Sequence, residues 1–189
     1  LPKSAIFALE EDRTGTLWVG TFGGGLSRYR NGKFETFTTK DGLANDTILA
    51  VKEDREGTIW IGSNGGGLTS YADKRFKVYT TADGLSNDII ACIQQDREGD
   101  LWIGTRTGGL NRFRDGAFTV FGPEQGLPSQ EVRAIHEDSS GSLWIGTRGG
   151  LARIVDGQLK AITTRHGLPD RIVYWILEDG RGNMWMSSG

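Results

Sequence analysis

The chain has 189 residues, of which 24% are charged and 37% hydrophobic, with a formal net charge of −2 and acids and bases interspersed along its length. That mixture supplies neither the basic face that nucleic acid requires nor a polybasic membrane segment, so no nucleic-acid partner is expected. A single cysteine, Cys92, excludes an intrachain disulfide and a multi-thiolate metal site, and no apolar stretch approaches the roughly 18 residues that a bilayer-spanning helix needs.

The first distinctive element is Leu17-Trp18-Val19-Gly20. It returns as Ile59-Trp60-Ile61-Gly62, Leu101-Trp102-Ile103-Gly104 and Leu143-Trp144-Ile145-Gly146, with a worn copy at Met184-Trp185-Met186. The tryptophans are 42, 42, 42 and 41 residues apart, and Gly42-Leu43, Gly84-Leu85, Gly126-Leu127 and Gly167-Leu168 keep the same step. A fixed period of about 40 to 45 residues with several short apolar runs per unit is the signature of a propeller blade, whereas helical repeats would carry a 3.6-residue period. The expected fold is all-β, a β-propeller of four-stranded antiparallel blades. Its units are 1–42, 43–84, 85–126 and 127–167, with half of a fifth over 168–189.

In the second unit, 48–53, 58–63, 68–71 and 76–79 read as four strands of ordinary length. Asp54-Arg55-Glu56-Gly57 joins the first two, and an Asp opening a turn accepts hydrogen bonds from nearby backbone N–H groups while Gly tolerates positive φ. Ile59, Trp60 and Ile61 are consecutive, so both faces of that strand must be covered, as they are when each blade lies between two neighbours. Phe76-Lys77-Val78-Tyr79 alternates more openly and suits a wetter outer edge. Gly65-Gly66-Gly67, like Gly23-Gly24-Gly25 before it, reads as a tight turn rather than a phosphate cradle, because a strand and not a helix follows.

The third unit puts Thr107 before Gly108-Gly109, and Cys92 sits in an apolar run, where it is expected to pack as a small hydrophobe. The fourth keeps only Gly149-Gly150, which accounts for its shorter period. In the fifth, Tyr174 and Trp175 replace residues such as Leu49 and Ala50 and are expected to fill the core of a variant blade. Leu1-Pro2 aligns with Leu127-Pro128 and Leu168-Pro169, no initiator methionine or signal peptide is present, and the fifth unit stops partway. The chain therefore reads as an interior piece of a longer protein.

The unit Gly84-Leu85-Ser86-Asn87-Asp88-Ile89-Ile90, followed by Asp96-Arg97-Glu98-Gly99-Asp100-Leu101-Trp102-Ile103-Gly104-Thr105, Gly108-Gly109-Leu110 and 118–121, resembles the two-component regulator propeller repeat. The resemblance extends over the whole chain. It implies a periplasmic sensor region of a hybrid two-component system, typically a seven-bladed propeller preceding a membrane helix and a histidine kinase or other output domain, with glycans as frequent ligands. No kinase His box or phosphoacceptor domain lies within these residues, so transmission would belong to the rest of the parent sensor chain.

Columns kept across the units are what the scaffold needs, and columns that vary are free for recognition. Loops after the second strand and connections between blades share one face of a propeller. The first varying column holds Phe22, Asn64, Arg106 and Arg148, and the second holds Asp41, Asp83, Gln125 and His166. Beside them vary Asp46, Asp88, Gln130 and Arg171. Phe22, Asn64, Arg106, Arg148 and His166 are accordingly the candidate ligand-binding residues, for a small polar ligand or oligosaccharide. His136 and His166 have no repeated carboxylate or cysteine partner, so no catalytic residue, metal ligand or cofactor is assigned. A propeller lyase acting on a polysaccharide or cyclic peptide is the alternative, and a structural propeller that docks protein, including a second sensor chain in a homodimer, is a third reading.

Overall fold

The computed structural model describes residues 5–188, so Leu1-Pro2 and Gly189 lie outside the described residues. The architecture is a β-propeller of four complete blades and half of a fifth. The first sheet runs β1 (Ile6–Glu11), β2 (Leu17–Thr21), β3 (Leu26–Arg30), β4 (Lys33–Phe37), and the second β5 (Ile48–Glu53), β6 (Ile59–Ser63), β7 (Leu68–Ala72), β8 (Arg75–Tyr79). The third has β9 (Ile90–Gln95), β10 (Leu101–Thr105), β11 (Leu110–Arg114) and β12 (Ala117–Phe121). The fourth has β13 (Val132–Glu137), β14 (Leu143–Thr147), β15 (Gly150–Val155) and β16 (Gln158–Ile162), and β17 (Val173–Glu178) pairs with β18 (Met184–Ser188) alone. Strand order follows chain order in every sheet. The chain divides within β9 into two compact units, one ending at Ile93 and one starting at Gln94.

The strands expected in the second blade are found within one residue of their predicted ends, and β6 is buried on both faces while β8 is mostly wet. No α-helix occurs among the described residues. Each connection between blades instead carries a three-residue 3-10 turn, at Thr39–Asp41, Thr81–Asp83, Pro123–Gln125 and Thr164–His166. In the sequence these segments are marked only as connections between blades.

A single device closes the turn between the first two strands of every blade. The opening Asp takes backbone N–H bonds from the residues two and four positions on through Oδ1, as Asp54 does from Glu56 at 3.0 Å and Thr58 at 2.8 Å. Its other oxygen, Oδ2, accepts from the indole Nε1 of the signature tryptophan, at 2.8 Å for Asp12 and Trp18 and 2.7 Å for Asp54 and Trp60. The bond recurs from Trp102 to Asp96, Trp144 to Asp138 and Trp185 to Asp179. One carboxylate thus folds the hairpin and fixes the ring that the next blade packs against.

These bonds depress the carboxyl pKa. Burial alone would raise that of Asp138, but hydrogen bonds from Ser140, Trp144 and the backbone of Ser142 and Ser140 outweigh it and hold the group at about 2, below the ordinary 3.8. Asp12 is lowered in the same way, burial being outweighed by Thr14, Trp18 and Thr16, and Asp179 is lowered chiefly by Trp185 and Asn183.

Within the first unit, Trp18 lies between Phe37 of its own sheet and Tyr71 of the second, with ring centroids 6.4 and 5.7 Å away. Leu26, Leu43, Ile48 and Ile61 complete that core. Trp18, Trp60 and Trp102 are buried as expected, but Trp144 is only half-buried and Trp185 is 60% exposed. The expectation of four equally buried rings is corrected there: Trp144 packs with Met184 and Met186 of β18 beside a core of Ala134, Leu151, Val173 and Ile176.

In three blades the glycine that ends the signature serves close approach rather than turning. A Cβ on Gly20 would sit 2.7 Å from Ile48 Cγ2, one on Gly62 2.6 Å from Ile90 Cγ2, and one on Gly146 2.9 Å from Val173 Cγ1. Each of these glycines thereby seats the first residue of the following blade's first strand, and Ser187 occupies the corresponding place in the fifth.

Candidate functional site

At one end of the first three blades the glycine-rich loop is tied to the connection that leads to the next blade. Gly25 N–H donates to Asp46 O at 2.8 Å and Gly67 to Asp88 O at 2.8 Å in the first unit, and Gly109 to Gln130 O at 2.9 Å in the second. Gly67 has φ of 79°, and a Cβ there would meet Tyr79 O at 2.3 Å. Only glycine fits, which supports the tight-turn reading of these runs. The buried hydroxyl of the last residue in the second strand braces the same loop, Thr105 Oγ1 donating to Gly109 O at 2.8 Å.

On this scaffold the two varying columns separate. Asp41 and Asp83 each accept the N–H of the residue that opens their 3-10 turn, Thr38 and Thr80, at 2.8 Å. Gln125 does the same for Gly122 at 2.8 Å, and His166 for Thr163, through Nδ1, at 3.1 Å. The variation in this column is therefore tolerated by a cap that needs only an acceptor of the right reach. His166 is exposed, but its Nδ1 is engaged locally, and it borders an open recess with Arg153, Lys160 and Ile162 on the outer strands of its blade. Asp46 and Asp88 are engaged in the same way, by the N–H groups of Thr39 and Thr81.

The other column does project outward. In the first unit, Phe22 is 57% exposed and its ring lies 5.8 Å from that of Phe7, which is 55% exposed. Asn64 is exposed beyond β6, its carbonyl accepting from Asn45 Nδ2 at 3.2 Å.

In the second unit the structure brings Arg106 and Arg148 together around a residue the sequence reading did not select. Glu131 Oε1 lies 3.7 Å from Arg106 Nη1, and Oε2 lies 3.4 Å from Arg148 Nη1. Arg133 pairs with the same Oε1. The ladder between the first two strands slips between Val132 and Ala134, and likewise between Val173 and Trp175, so Arg133 and Tyr174 occupy bulge positions that re-aim a side chain. The Arg133 guanidinium carbon lies 4.7 Å from the Tyr174 ring centroid. Tyr174 and Trp175 are 44% and 52% exposed, so the expected core role is corrected for both; the bulge turns Tyr174 out of the sheet's packing face, while Trp175 pairs in the ladder with Ser187. A signal was present: in the columns on either side of buried Val132, Glu131 and Arg133 stand where other units have Thr47 and Ile89, or Phe7 and Leu49.

Among the described residues no group of three or more His, Cys, Asp or Glu side chains could hold a metal, and no helix is long and apolar enough to cross a membrane.

The family profile described as Two component regulator propeller matches the chain at residues 1–23, 42–65, 84–107, 126–149 and 167–189. No curated protein matches it. Among solved structures, the chain is similar to the extracellular domain of a hybrid two component system from B. thetaiotaomicron, at 21% identity and a TM-score of 0.75 over 96% of this chain and 32% of that one. A one component system's extracellular domain from the same organism gives 20% identity and a TM-score of 0.80 over 97% and 28%. Virginiamycin B lyase from Staphylococcus aureus gives 16% and 0.79 over 98% and 64%. These likenesses are of fold, and the chain spans about a third of the length of the first two proteins.

Proposed function

This chain belongs to the two component regulator propeller family, and from that premise we propose that it is a ligand-recognising, non-catalytic segment of a bacterial two-component sensor, periplasmic and continuous with a parent that carries a histidine kinase. The ligand is a small polar molecule, most plainly an oligosaccharide. The observation that carries this reading is the pairing of a rigid loop scaffold with exposed aromatic and guanidinium groups in the column that does no work for the fold. Aromatic faces stack on the apolar side of a sugar ring, and polar side chains around them fix its hydroxyls. The extracellular assignment of the two B. thetaiotaomicron relatives supports the location.

The test is calorimetric titration with a panel of oligosaccharides, comparing the wild type with Arg106→Ala/Arg148→Ala and with Phe22→Ala. Binding weakened in these variants, with thermal stability changed by no more than about 0.5 kcal/mol as for exposed loop substitutions, supports the reading. Unchanged affinity in both would place recognition elsewhere.

A further inference from the structure

Three guanidinium groups share one carboxylate at the loop end of the second unit. Arg106, Arg133 and Arg148 all face Glu131, which leaves two positive charges unmatched. The fold does not demand them. The corresponding positions in the first unit hold Phe7, Phe22, Leu49, Asn64 and Thr47, and the same loops form there without a charge among them. The contacts of Arg106 and Arg148 to Glu131 are long, and their side chains are 54% and 66% exposed, so both heads are free to turn toward a second acceptor. Arg133 Nε is a further donor, buried and without a hydrogen-bond partner among the described residues. Tyr174, stacked on Arg133 and half exposed, walls the cluster with an aromatic face.

Resting on the ligand-sensing reading above, we infer that this cluster selects an anionic oligosaccharide, its guanidinium groups taking a carboxylate or sulfate of the sugar while the Tyr174 ring lies against the sugar face. Planar guanidinium donors match the paired oxygens of both groups, and a desolvated, multiply held oxyanion is bound far more firmly than an exposed ion pair. Glu131 anchors Arg133 and draws Arg106 and Arg148 toward the same point without neutralising them.

Calorimetry on the intact protein with three tetrasaccharides tests this: tetragalacturonate with carboxylates alone, neocarratetraose sulfate with sulfates alone, and neutral cellotetraose. One or both charged probes are expected to bind, the pair showing which oxyanion is preferred, with affinity falling as salt rises. Arg106→Glu/Arg148→Glu should weaken that binding by about tenfold or more, the equivalent of one charge-assisted hydrogen bond. Arg106→Lys/Arg148→Lys should retain part of it, and Tyr174→Phe should keep what Tyr174→Ala loses. Cellotetraose binding as tightly as either charged probe would overturn the anionic assignment and leave a neutral-glycan sensor standing. Failure of both charged probes to bind, or binding indifferent to the charge reversal, would overturn the cluster as the site.

Discussion

The indole nitrogen of each signature tryptophan is bound by the carboxylate that also folds its hairpin, so the ring is set by chemistry as well as by packing. Trp60→Ala is expected to destabilise by about 3 to 5 kcal/mol, since it opens a cavity and orphans Asp54 together. Trp60→Phe retains most of the volume but leaves a buried Asp54 oxygen without its donor, a loss of about 1 to 3 kcal/mol. The same change at exposed Trp185 should move a thermal or urea transition little. The carboxylates make the fold acid-sensitive in a defined window. Asp138 is lowered on folding from 3.8 to about 2, so its contribution is fully present above pH 4 and disappears as pH falls through about 2. Asp138→Asn should flatten that part of a stability-against-pH curve, and an unchanged slope would remove Asp138 from it. Gly62→Ala tests the close approach: its Cβ would meet Ile90 at 2.6 Å, and overpacking of this kind costs about 1 to 3 kcal/mol. Ile90→Ala in the same chain should recover part of the loss, which a purely conformational role for Gly62 would not allow.

At the scale of elements, neighbouring hairpins within a unit are clipped together by the residue that follows the turn-opening Asp. Arg97 N–H donates to Glu137 Oε2 at 2.9 Å, its Nε meets Oε1 at 2.9 Å, and Nη2 reaches the carbonyl of Asp138 at 2.9 Å. Arg13 holds Glu53 in the first unit, and in the fourth blade Ser139 binds Glu178 through N and Oγ, both at 2.6 Å. Arg97→Ala should lower stability by about 1 kcal/mol, the upper range for an exposed pair, because the contact is bidentate and includes backbone acceptors. A denaturant midpoint unchanged by the substitution would reduce the clip to decoration. Much of this level was legible in the sequence, because strand, turn and period each leave a mark that recurs. The strands of the second blade, the Asp turns and the glycine loops are where the repeat puts them. The 3-10 turns were not legible, since their cap accepts Asp, Gln or His alike and the variation mimicked freedom for recognition. Arg106 and Arg148 were found as outward residues, yet Glu131, Arg133 and Tyr174 were missed as a site because a bulge, which periodicity cannot register, turns two of them outward.

For the molecule as a whole, the repeat is regular enough for stability to build from blade terms and neighbour terms. Among the described residues β18 pairs only with β17, and Trp175, Leu177 and Trp185 remain 52%, 41% and 60% exposed. Ile6 and Leu9 of β1 are also exposed, at 49% and 59%, although Ile48, at the place of Ile6 in the next blade, is fully buried. An unpaired strand edge beside apolar side chains invites association, so these 189 residues alone are expected to oligomerise or aggregate in light scattering. Trp185→Lys, which puts a charge in place of an exposed ring on that edge, should shift the distribution toward monomer. A monodisperse monomer without any such change would show the edge to be inert.

The five indole–carboxylate bonds also give the protein a built-in set of position-specific clocks. The bonds are chemically alike, at 2.7 to 2.9 Å, but their rings run from 3% exposed at Trp18 to 60% at Trp185. Indole N–H groups resonate apart from backbone amides, so their exchange with deuterated solvent would time the opening of each blade separately. Trp185 should exchange first and Trp144 next, with Trp18, Trp60 and Trp102 waiting for the opening of the cores that enclose them.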